Sequence, residues 1–227
     1  MLLDIFKNFE NYSFADAIAG ILAALMVIFL TMPIHEYAHA LIATKLGDPT
    51  PKFAGRLSLN PFNHIDYMGA LSIIIVGIGW AKPVGINPRY FKNPKMGMAL
   101  TAVAGPLSNI IMAFVVNFVS VFLLWVFYIT NTMNVATLLI ISFLDNVAYL
   151  NVALGVFNLI PLPPFDGSRI LGIVLPDRIY FKIMSYERYI YIAVLALLIF
   201  DVFDKPLAIA TQAVMQFINI LPSIIFF

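Results

Sequence analysis

The sequence contains no cysteine. Disulfides and thiolate metal sites are therefore excluded, and thiol usage says nothing about the redox compartment. Charge is also scarce: Asp, Glu, Lys and Arg make up 11% of the 227 residues, where a soluble domain carries about 25%. The net charge is +1 and the basic residues are dispersed among loops, so no basic patch offers nucleic acid a partner. There is no internal repeat, no low-complexity tract and no stretch long enough for a separate soluble domain. Residues 1–16 mix acids with one lysine, unlike the basic start of a signal peptide, so the apolar run behind them is expected to stay in the mature protein.

What the sequence does have is apolar length. Hydrophobic residues make up 62% of it, the mean hydropathy is +0.94, and several runs approach or exceed the roughly 20 residues that span a bilayer. The expected fold is an all-α polytopic membrane protein, a single domain over residues 1–227. About five to six transmembrane helices are expected, five of them full spans, with a re-entrant segment and a short membrane-associated strand or hairpin.

Residues 15–46, 98–129 and 136–160 are the longest runs, and the last two read as an antiparallel transmembrane hairpin. Residues 67–81 contain Gly69, Gly77 and Gly79 and are short for a span, so they are expected to dip in and return. Just before them, Leu57 and Leu59 alternate with Arg56, Ser58 and Asn60, the period of a half-buried strand, closed by Asn60-Pro61. Such an edge would receive an extended peptide. Residues 189–203 span only if their helix starts a turn earlier, and a last run follows Lys205-Pro206 to Phe227.

Chemistry enters at the end of the first run, in Pro33-Ile34-His35-Glu36-Tyr37-Ala38-His39-Ala40. Two histidines four residues apart share one face of a helix and can hold one zinc ion. In His-Glu-x-x-His sites the carboxylate beside the first ligand takes the proton of the attacking water. Pro33 removes a helical hydrogen bond and kinks the helix just before His35. A second irregularity, Asn158-Leu159-Ile160-Pro161-Leu162-Pro163-Pro164-Phe165-Asp166-Gly167, breaks the third run. Irregular backbone at membrane depth persists only where it is buried in protein or lines a wet cavity, and an acid on it is a functional-site candidate.

If Asp166 is the third ligand, it must emerge on the same side as the end of the His35–His39 helix, which requires an even number of crossings between them. Residues 67–81 then do not cross. Under this topology Lys45, Lys52, Arg56, Lys82, Arg89, Lys92, Lys95, Arg169, Arg178, Lys182 and Arg188 fall on one side, and only Lys7 and Lys205 on the other. By the positive-inside tendency, the metal site lies toward the cytoplasmic side of a multi-pass cell-membrane protein with an outside N-terminus.

With His35-Glu36-x-x-His39 early and Asn158-x-x-Pro161-x-Pro163-x-x-Asp166-Gly167 late, the chain resembles the site-2 protease family of intramembrane zinc metalloproteases. GRLSLNPFNHID, WAKPVGINPRYF and AGPLSN resemble the intervening segments of compact bacterial members without extra domains. The resemblance implies one zinc per chain held by His35, His39 and Asp166. It implies Glu36 as general base, and Asn158 as a residue that stabilises the oxyanion or positions the scissile peptide.

The implied substrate is a transmembrane protein, with membrane lipid and an unidentified regulatory protein as further partners. Asn158 can equally cap backbone at the helix break. His64 reads as an exposed or capping histidine, and Asn109 as either a cavity residue or a hydrogen-bonding contact between helices. Two rival readings remain at this point: a membrane metal-binding or transport protein using the same ligands, and a catalytically silent scaffold that binds helices.

Overall fold

The computed structural model describes residues 14–76, 80–200 and 202–227. Among the described residues it is mostly helical, with no strand, and four helical segments are long and apolar enough to cross a membrane. The first, Ile21–Lys45, is continuous but not uniform. Helix α1 (Phe14–Met26) runs into a π-helical turn, Val27–Thr31, and then into α2 (Met32–Lys45). Pro33 has no N–H to bond back along the ladder, and the wider π turn accommodates that loss. The kink expected at Pro33 takes this form, one turn before His35.

Helix α3 (Thr50–Phe53) and the loop after it replace the expected strand. Arg56 is buried, and its guanidinium donates to the carbonyls of Asn63 and Lys82. His64 is fully buried, not exposed, and its Nε2 is 2.7 Å from the Ser58 carbonyl oxygen, while the Asn60 N–H donates to Ser58 Oγ. The alternation at residues 56–60 therefore belongs to a loop wrapped around two polar side chains. The Arg56 N–H, the Ser58 carbonyl and both backbone groups of Asn60 are engaged within α3 and this loop.

Helix α4 (Tyr67–Val76) has ten residues, and by Ala81 the chain is back beside Ile65 in an isolated antiparallel bridge. The Lys82 N–H closes this return on the His64 carbonyl at 2.8 Å. Residues 82–87 then have no regular secondary structure, and the fully buried Asp48 pins them to the end of α2 by accepting from the Asn87 N–H at 2.7 Å.

Helices α5 (Pro94–Ile129) and α6 (Val135–Asn158) form the hairpin that the sequence implies, capped by Asn93 and by an Asn134–Thr137 capping box. Short helices α7 (Gly167–Val174), α8 (Asp177–Ser185) and α9 (Glu187–Ile199) follow. Lys95 pairs with Asp177 and Arg169 with Glu187, tying this region to the start of α5.

Two expectations change here. The run from residue 189 does not start a turn earlier: α9 begins at Glu187 and has 13 residues, about 20 Å against a hydrocarbon core of about 30 Å. Among the described residues, four helices have spanning length and composition. The last of them, α10 (Asp204–Phe226), runs parallel to α5, because Asn219 meets Asn117 while Phe226 meets Phe118, Phe122 and Trp125 further along. Lys205 thus lies at the end of the bundle where α5 begins, with the other basic residues and not opposite them. The interior where α5, α6 and α10 meet is Ala113, Val152 and Ile218.

Candidate metal centre and active site

Helix α2 runs antiparallel to α5, which brings its first two turns against residues 101–105. His35 and His39 are buried and project from one face of α2, their Nε2 atoms 3.0 Å apart. Asp166, on the irregular segment after α6, reaches the same point from 131 residues away: its Oδ2 lies 3.2 Å from each histidine Nε2. Side chains expected from sequence as one ligand set therefore converge, and they do so as a near-equilateral triangle.

The chemistry of this donor set fits a cation. His39 Nδ1 is 2.7 Å from the Thr101 carbonyl oxygen, which identifies it as the protonated nitrogen and leaves the Nε2 lone pair facing the triangle. Asp166 turns its Oδ2 toward the same point, so two imidazole nitrogens and one carboxylate oxygen face one another. Nitrogen and oxygen ligands of one tetrahedral zinc stand about 3.3 Å from one another, close to the observed separations. Among the described residues, His35, His39 and Asp166 are the group of acids and histidines that can share a metal.

The backbone around the triangle is shaped to admit it. Gly105 of α5 presses so close that a Cβ there would stand 2.4 Å from His39 Nε2 and 2.5 Å from His35 Nε2. Pro106, next to it, offers no N–H to the Ala102 carbonyl, and one residue before that the Thr101 carbonyl serves His39. Gly167 plays the same part behind Asp166, since a Cβ would lie 2.3 Å from the Leu159 carbonyl oxygen.

Beside the triangle lies a cavity of about 540 Å³ whose wall includes His35, Glu36, Asn158 and Asp166. Glu36 is half-buried, and its Oε2 accepts the Val84 N–H at 3.2 Å. Asn158 also faces the cavity, but its Nδ2 is donated to the Leu154 carbonyl at 3.0 Å, the backbone-capping role weighed above. Asn109 is buried, does not line the cavity, and neither of its amide atoms has a partner among the described residues.

Thr101, the Val84 N–H, Trp80 and the α9 residues Tyr191 and Leu195 also build this region and were not singled out as site residues by the sequence reading. Two of them act through backbone groups, which carry no residue signature.

Comparison with known proteins bears on the same residues. Peptidase family M50 matches residues 22–200. A Bacillus subtilis (strain 168) protein named "Putative zinc metalloprotease YwhC" is 38% identical over 174 residues, covering 77% of this chain and 78% of that protein. "Zinc metalloprotease MJ0392" of Methanocaldococcus jannaschii is 29% identical over 153 residues, 67% of this chain but only 34% of that longer protein. No solved structure gives a significant match. A zinc-fitting triangle, the His-Glu-x-x-His helix and a family match over most of the length lead to one conclusion: the chain is a membrane zinc metalloprotease and belongs to peptidase family M50.

Proposed function

We propose that this chain is an intramembrane protease that cleaves peptide bonds within or near transmembrane segments of other proteins. On this reading one zinc per chain is held by His35, His39 and Asp166, and Glu36 is the general base. The observation that carries the reading is the ligand triangle with Glu36 at its side, on the wall of a cavity among apolar helices.

When bound, zinc polarises the scissile carbonyl and makes a water nucleophilic at neutral pH. Glu36 accepts the proton of that water and returns it to the leaving amine. The Val84 N–H on Glu36 Oε2 holds the carboxylate toward the cavity, and the Thr101 carbonyl keeps His39 in the ligating tautomer. Asn158, which also lines the cavity, orients the substrate backbone. A helical substrate hides its carbonyls, so it unwinds before it reaches this site.

The metalloprotease assignment displaces the transport and scaffold readings. Removing zinc from the purified protein with a chelator is expected to stop cleavage of a transmembrane peptide, and about one equivalent of zinc per chain to restore it. Cleavage that persists without metal would reject the mechanism.

The same proposal includes a single domain in the cell membrane, with the site toward the cytoplasmic side and substrate supplied laterally or by a partner protein. Supporting it, the basic residues of the described loops gather at the end of the bundle that carries Asp166, and the return of the chain from Tyr67 to Ala81 favours a re-entrant element over a crossing. The chain has no cysteine, so Lys92→Cys and Met133→Cys can be labelled cleanly. An impermeant reagent is expected to reach Lys92→Cys only from the cytoplasmic side and Met133→Cys only from outside. Labelling of both from one side would overturn the topology.

A further inference from the structure

Helix α10 lies outside the residues matched by the family, and one of its faces is out of keeping with a span. Gln212, Gln216, Asn219 and Ser223 recur at steps of four, three and four residues, so they form one continuous stripe along the helix. Gln212, Gln216 and Asn219 are exposed and Ser223 is half-buried. Asn219 accepts from Asn117 Nδ2 at 3.2 Å, which fixes the edge of the stripe beside α5. The side chains of Gln212 and Gln216 have no hydrogen-bond partner among the described residues. The helix already packs on its own bundle through Thr211, Ile218 and Pro222, so the stripe is not needed for that contact. Amide groups facing lipid without partners are unfavourable, and the same groups between helices hold spans together.

We infer that this stripe is the seam of a homodimer, in which α10 of one chain packs in parallel against α10 of a second copy. Three observations select a second copy as the occupant. From residue 206 to 227 the helix carries no charge, so nothing on it attracts a charged partner. Each carboxamide holds a donor and an acceptor, so Gln216 and Gln212 can satisfy their own counterparts. Two copies inserted in the same direction present those counterparts at the same depth, and the four-three-four spacing is the seam of a left-handed parallel pair.

The test uses the full-length chain in membranes, where the absence of native cysteine makes every introduced thiol unique. Gln212→Cys, Gln216→Cys, Phe217→Cys and Ile224→Cys are oxidised one at a time with copper phenanthroline and resolved without reductant. Phe217 and Ile224 are 74% and 75% exposed but lie on a different face. The two stripe positions are expected to trap a species of twice the 25.3 kDa chain mass, at least about fivefold more than the two control positions. Equal trapping at all four positions, none at any, or an adduct of another mass would overturn the second-copy seam. The readout is independent of proteolysis, so its failure would leave the catalytic proposal untouched.

Discussion

Glu36→Gln is expected to retain one zinc per chain and to lose cleavage by about 10²–10⁴-fold. The substitution keeps the size and planarity of the side chain, so the wall of the cavity is preserved. It also keeps an oxygen to accept the Val84 N–H. What it removes is the group that can take up a proton from water and give it to an amine. Because Glu36 stands outside the triangle formed by His35, His39 and Asp166, the metal has no reason to leave. The paired measurements are metal content and kcat on a transmembrane peptide. A Glu36→Gln protein that cleaves at an undiminished rate would place the proton transfer elsewhere.

Gly105→Ala is the second large effect, and it acts without touching a ligand. The added methyl would sit 2.4 Å from His39 Nε2, 2.5 Å from His35 Nε2 and 2.6 Å from His35 Cε1, far inside van der Waals contact. The atoms in the way are those that face Asp166, so they move off the triangle. Alanine also strengthens a helix interior by about 1 kcal/mol relative to glycine, so α5 itself is not weakened. The expected outcome is a folded protein whose zinc affinity falls by at least about 100-fold, with cleavage lost in parallel. Unchanged zinc binding in Gly105→Ala would show that α5 does not press on the histidines as the structure has it.

The parts of this protein that were legible from sequence are those written in side chains of strong chemical character. His35 and His39 at helical spacing, and Asp166 on a proline-rich break, announced a ligand set, and the bundle brings them within 3.2 Å of one another. The α5–α6 hairpin was legible because its runs are long and its turn is polar. The residues around the site were harder. Gly105 is chosen for what it lacks, the Thr101 carbonyl and the Val84 N–H belong to the backbone, and Arg56 and His64 looked like solvent-facing residues of a polar loop.

The extent of α9 was hidden for a similar reason. Hydropathy gives an apolar run over residues 189–203, but not that α9 takes in Glu187 and Arg188 and ends at Ile199. The direction of α10, and with it the position of Lys205, followed from which aromatic rings Phe226 meets, a tertiary fact.

The measurement that tests the central claim most directly is zinc per chain in the purified protein, for the wild type, His35→Ala and Asp166→Ala. The expected result is about one zinc in the wild type and sharply weakened binding in both variants, because the two ligands lie 131 residues apart in sequence and share one ion. Zinc retained at full affinity in Asp166→Ala would contradict the account, since the loop after α6 would then have no part in the metal site.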